Sequence, residues 1–179
     1  MFSTTQYKSP IGNITLLSTQ SHIIGLWLEG QKYYGANMPE SAKKKDDLEV
    51  LVKGKKWLDD YFAGNKPEIA HLPLAPIGSL FRQEVWKILM EIPYGEVTTY
   101  GEIAKKMAKR MGKLKMSSQA IGGAVGHNPI SIIIPCHRVV GTNGSLTGYA
   151  GGIDKKIKLL EHERADITCL FVPKRGSAL

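Results

Sequence analysis

Two cysteines, Cys136 and Cys169, are the only thiols in 179 residues. That is too few for a disulfide framework or for a zinc site built on three or four cysteines, and it suits a reducing, intracellular setting. No stretch approaches the ~18 consecutive apolar residues that cross a bilayer. The opening Met1-Phe2-Ser3-Thr4-Thr5-Gln6 lacks a basic region followed by an apolar one. The sequence therefore predicts a soluble, unexported, cytoplasmic chain with no membrane partner. Internal repeats and low-complexity tracts are missing as well. Acidic residues are scarce: 16 Asp plus Glu stand against 24 Lys plus Arg, for a formal charge of +8. That balance favours a polyanionic partner such as nucleic acid but does not identify one.

What is present divides the chain into two modest lobes, residues 1–76 and 77–165, followed by a basic, loosely attached tail at 166–179. Residues 4–7, 14–17 and 23–28 alternate between short turns and read as an antiparallel meander. Leu48, Leu51, Val52, Leu58, Tyr61 and Phe62 share one face of a helix over 43–62, with residues 43–47 as its solvated start and Ala63-Gly64-Asn65 as its stop. Prolines at 67, 73 and 76 place a linker near 71–78. Ser79 then caps a helix bearing Phe81, Val85, Trp86, Ile88 and Leu89. Thr99 and Glu102 form a capping box for a helix over 100–108. Beyond a basic connector at 109–115, Ser117 or Ser118 caps a third helix running to Val125. Two short helices around a turn are compatible with helix-turn-helix DNA binding, although the pattern alone favours an ordinary helical hairpin with a solvated basic loop. Gly122-Gly123 inside the third helix costs roughly 1 kcal/mol per glycine relative to alanine, so a close approach is expected there. The last helix covers 153–163.

The chemistry concentrates in Ile130-Ser131-Ile132-Ile133-Ile134-Pro135-Cys136-His137-Arg138-Val139-Val140. The run of isoleucines predicts a buried strand with Cys136 near its end, beside an imidazole able to act as base. Taken alone, the pair is compatible with a nucleophile or with a small buried hydrophobe. Glu161, Glu163 and Asp154 on the final helix are the candidate acceptors that would orient the imidazole.

The whole of 100–163, with an Asn-Pro before the Ile-Pro-Cys-His-Arg-Val core and a Gly-Tyr-Ala-Gly-Gly after it, closely resembles the O6-alkylguanine-DNA alkyltransferases. The resemblance implies an α+β fold: a ribonuclease H-like N-terminal lobe of small antiparallel sheet plus helix, then a helical, winged helix-turn-helix-like lobe carrying the reactive cysteine. It implies a monomer that takes no cofactor or metal, binds double-stranded DNA containing O6-alkylguanine, flips the nucleotide out and transfers its alkyl group irreversibly to Cys136. O4-alkylthymine is a second expected substrate. A relay from Cys136 through water to His137 and Glu163 is implied, with Tyr100 assisting the departing base and Asn128 joining the two halves of the site. Val139, Gly148, Tyr149 and Ala150 would line the base pocket, and Ser117, Ser118, Gln119, Ala120, Gly122 and Gly123 would meet the duplex. Many members carry an arginine where this chain has Gln119, which lacks the charge and the broad stacking plane. The connector at 109–115 is longer than in familiar members. A Cys-His thiol hydrolase and a non-catalytic sensor of alkylated DNA are the alternatives.

Overall fold

The alternating N-terminal segments form the expected meander: β1 (Ser3–Ser9), β2 (Gly12–Ser18) and β3 (Ile23–Leu28). The computed structural model describes residues 1–173, so residues 174–179 of the expected basic tail lie outside the described residues. Gly12, at φ +116°, supplies the β1–β2 turn conformation that a side chain would oppose. A short fourth strand, β4 (Lys43–Lys44), pairs in parallel with β1, giving the order β3-β2-β1-β4. Residues 43–47 are therefore not the start of a helix. The Lys43 and Lys45 amides donate to the carbonyls of Phe2 and Thr4, a pairing too short to leave an alternating pattern in the sequence.

Helix α1 begins later, at Glu49, and runs to Phe62. Leu51, Leu58 and Tyr61 set its inward phase. Val52, one step off that stripe, is 46% exposed, and Val50 and Trp57 are buried in its place. Gly54 lets α1 sit close to the sheet: a Cβ there would lie 2.8 Å from Leu16 Cδ2 and 2.9 Å from Ile23 Cδ1. A second cluster of Leu17, Ile24 and Trp27 is covered by Phe2, Met38 and Ala42. The sheet is thus buried on both faces, which explains why β3 is apolar without alternation.

One unit comprises Met1–Ile77 together with Pro129–Ile133. Within it, the later segment docks on β3 through Leu26 N to Pro129 O (2.8 Å) and Ser131 N to Leu26 O (2.9 Å). Gln31 Oε1 accepts from both Leu28 N (2.8 Å) and Ser131 Oγ (3.0 Å). The isoleucine run is not the expected strand. Ile130 makes an isolated bridge to Leu26, the backbone turns at 131–133, and Ile132 takes φ +68°. Burial of every residue in the run satisfies its hydrophobicity without a ladder, so apolar character alone misreads the backbone.

The other unit comprises Gly78–Asn128 and the chain from Ile134 onward. Helices α2 (Leu80–Met90), α3 (Tyr100–Arg110) and α4 (Ser118–Gly126) pack on one another. Each has its predicted cap: Ser79 Oγ accepts from Arg82 N, Thr99 and Glu102 form the reciprocal box, and Ser117 Oγ accepts from Ala120 N. Trp86 ties α2 to α4, its indole N–H donating 2.9 Å to Ala124 O. Two short parallel strands, β5 (Thr98–Thr99) and β6 (Val139–Val140), flank α3 and the Cys136–Arg138 segment, and α5 covers Ile153–His162. Residues 166–171 are not loose. Ile167 and Leu170 pack on Val140, Leu146, Leu160 and Ala165, and Phe171 exchanges backbone hydrogen bonds with Leu146 and Gly144.

Candidate active site

Pro135 ends the buried isoleucine turn, and Cys136–Arg138 form a single turn of 3-10 helix leading into β6. Cys136 is 4% exposed. Asn128, the last residue before the chain passes to the other unit, donates its side-chain amide to Ile134 O (2.8 Å) and to Cys136 Sγ (3.1 Å). One side chain thereby brackets the departure and return of the chain and reaches the sulfur. Burial pushes the thiol pKa up; the Asn128 amide, the Lys156 charge and the backbone amides of Cys136 and His137 pull against it.

His137 and Glu163 are both fully enclosed, with Nε2 and Oε1 2.7 Å apart. Burial is the main reason the imidazole sits below its ordinary pKa, and the Glu163 carboxylate opposes that drop. Its Nδ1 has no hydrogen-bond partner among the described residues. Glu163 caps the C-terminus of α5 and also accepts from Arg138 Nε (2.8 Å), Arg138 NH2 (3.0 Å) and Gly95 N (3.1 Å). Burial would raise this carboxyl, but His137 and Arg138 together outweigh burial and hold it well below the carboxylate range. Arg138 thus pairs with a carboxylate, and its NH1 donates 2.6 Å to Ile92 O.

A group that the sequence reading missed completes the shell. Lys156 on α5 is fully buried, and its Nζ donates to Val139 O (2.5 Å) and Thr147 O (2.9 Å). Burial lowers its pKa to about 8, countered by the charge of Cys136. The only signal in the sequence was its phase, one turn from the buried Leu159 and Leu160 on α5. Tyr100, at the first position of α3, points its hydroxyl at Thr147 O (3.3 Å) and Gly148 O (3.4 Å). Burial raises its pKa, so it keeps its proton.

Of the expected pocket residues, Val139, Gly148 and Tyr149 are buried, while Ala150 is partly exposed. Tyr149 faces His137 edge-on at 6.4 Å, and its hydroxyl is buried without a partner among the described residues. On α4, Ser117, Ser118, Gln119 and Ala120 are exposed, Gly123 is partly so and Gly122 is buried. Among the described residues outside its own helical turn and neighbours, no atom lies within 4 Å of where a Cβ on Gly123 would sit, so at Gly123 the fold itself makes no close approach. Among the described residues no group of three or more His, Cys, Asp or Glu could hold a metal ion, and no helix is long and apolar enough to cross a membrane.

A buried thiol held by an amide stands next in sequence to an imidazole whose Nε2 is fixed by a carboxylate, an arrangement chemically compatible with a thiol nucleophile and an imidazole base. A family model described as the 6-O-methylguanine DNA methyltransferase DNA binding domain matches residues 80–165, and one for the ribonuclease-like domain of the same proteins matches residues 3–76. The chain belongs to the 6-O-methylguanine DNA methyltransferase family. It is 41% identical over 160 residues to the methylated-DNA–protein-cysteine methyltransferase of Haemophilus influenzae, covering 89% of this chain and 85% of that one. The Mycobacterium tuberculosis O6-methylguanine methyltransferase crystal structure is similar at a TM-score of 0.78 and 40% identity, over 92% of this chain and 93% of that one. The same organism's OGT in complex with DNA gives 0.77 and 39%, over 91% and 92%.

Proposed function

We propose that this protein repairs alkylated duplex DNA by transferring the alkyl group of O6-alkylguanine, and of O4-alkylthymine, irreversibly to Cys136. The observation that carries the reading is the enclosed Glu163–His137 pair ending on a partnerless Nδ1, one residue from an amide-held thiol. His137 is neutral near pH 7 and takes the thiol proton, directly or through water. The thiolate attacks the alkyl carbon; an S–C bond forms, the C–O6 bond breaks, and its electron pair leaves with the base. Tyr100 passes its proton to the departing guanine and regains one from the His137 imidazolium, directly or through solvent, so that the thiol proton ends on the base. Sulfur suits this saturated carbon, and the thioether product has no polarised carbonyl for water to attack, so each molecule acts once.

Reaching O6 requires turning the nucleotide out of the helix, at a cost of a few kcal/mol of stacking and pairing. Val139, Gly148, Tyr149 and Ala150 would receive the base. The exposed start of α4 with Gln119 would enter the duplex, making residues 77–165 the DNA-binding and alkyl-acceptor domain and residues 1–76 its support. The 41% identity to a methylated-DNA–protein-cysteine methyltransferase and the likeness to a DNA-bound structure support the substrate. The protein would work as a monomer in the cytoplasm.

The test is mass analysis of the Cys136 peptide after incubation with a duplex carrying one O6-methylguanine. A stoichiometric gain of one methyl, lost in Cys136→Ser, is expected. Catalytic turnover without covalent gain would indicate a thiol hydrolase, and binding with neither would indicate a sensor; both overturn the reading.

A further inference from the structure

Glu102 is followed by no acidic residue until Asp154. Within that interval, the connector between α3 and α4 is the longest uninterrupted run of exposed residues among those described. From Lys109 to Ala120 every residue except the half-buried Met116 is exposed. Arg110 is paired with Glu91, but Lys109, Lys113 and Lys115 form no ion pair among the described residues. Between the last two, Leu114 stands fully exposed at 108% of its reference area. Gly112, at φ +62°, makes the bend that presents this tip.

A leucine wholly in water between two unpaired lysines has no role in packing the fold. The chemistry fits a surface that offers phosphates at its edges and an apolar floor between them, as a duplex groove does. We propose that residues 109–115 form a second grip on DNA, separate from the lesion pocket, in which Lys109, Lys113 and Lys115 engage phosphates while Leu114 packs against groove sugars. The connector runs without interruption into the exposed start of α4, so one continuous, acid-free strip would track the duplex. This deepens the DNA-repair reading and rests on it.

The experiment measures binding of a labelled undamaged duplex as a function of salt. For Lys109→Gln/Lys113→Gln/Lys115→Gln, the slope of log K against log salt should be shallower by about 2 to 3, because each phosphate contact contributes about 0.9. Leu114→Ser should weaken binding at constant slope. The control, Lys43→Gln/Lys44→Gln/Lys45→Gln, removes the same charge from the other unit and should leave the slope unchanged. Methyl transfer from free O6-methylguanine base to Cys136 should be the same in all variants. Loss of slope in the control equal to that in the connector variant would mean net charge alone, and an unchanged slope in the connector variant would mean no grip; either overturns the proposal. So would binding of the connector to phosphatidylserine vesicles with DNA affinity intact. Failure of the wild type to transfer methyl at all would instead count against the repair reading.

Discussion

The side-chain amide of Asn128 lies 3.1 Å from the sulfur of Cys136 and is a hydrogen-bond donor to it. A thiol enclosed this fully is disfavoured as an anion, and this donor is the largest of the effects that work against that penalty.

Asn128→Ala should therefore raise the thiol pKa and slow alkyl transfer near pH 7 by about tenfold, on the scale of one hydrogen bond to a charged group. The check is the pH profile of Cys136 alkylation. Its midpoint should move to higher pH, whereas a purely structural defect would lower the plateau and leave the midpoint in place.

Lys156→Met keeps the length of the side chain and removes its charge. Val139 O and Thr147 O then lose a buried donor, at about 1–3 kcal/mol for each group left unsatisfied. The expected result is a lower urea midpoint together with an upward shift of the alkylation midpoint. Lys156→Arg should not restore either, since a planar fork does not fit a site built around one ammonium.

Removing the Glu163 charge strands the buried Arg138 guanidinium. Glu163→Gln should cost about 3–5 kcal/mol in denaturant unfolding, the range for breaking a buried pair by deleting one partner. Alkyl transfer should fall as well, because His137 loses the acceptor that fixes its orientation.

Acid should destabilise the fold in two stages. His137 is depressed below its ordinary 6.5, chiefly by burial, so the unfolded chain takes up that proton first and stability falls as the pH drops below 6.5. Glu163 is depressed below 4.5 because His137 and Arg138 outweigh the opposing effect of burial; its contribution is present above 4.5 and is lost as the pH falls below it. Urea midpoints measured across this range should show both stages, with the lower one flattened in Glu163→Gln.

Trp86 fills the contact between α2 and α4 and is 1% exposed. Trp86→Ala should cost about 3–5 kcal/mol, read as a drop in thermal midpoint. Gly78→Ala should also destabilise, since its Cβ would stand 2.4 Å from the indole.

Where structure follows from neighbours in sequence, the chain was readable. The caps at Ser79, Thr99 and Ser117 and the meander turns are local hydrogen-bond and conformational choices, and they fall where the residues place them. The dense Cys-His motif and its Asn-Pro flank likewise pointed to the residues that the fold brings together. Three features were not readable, each for a physical reason. The isoleucine run turns because burial can be satisfied without strand pairing. Two residues of β4 pair at the sheet edge through backbone atoms alone. Lys156 takes its meaning from the carbonyls of Val139 and Thr147, which lie 17 and 9 residues away and leave no pattern in its own helix.

Ile167, Leu170 and Phe171 lie beyond the last residue matched by the family model, yet the first two cover the cluster of Val140, Leu146 and Leu160 and the third pins the segment there through its backbone. A version trimmed at 165 would uncover greasy side chains a few residues downstream of Cys136 and invite precipitation. Affinity handles and reporter fusions belong after this lock, not in place of it.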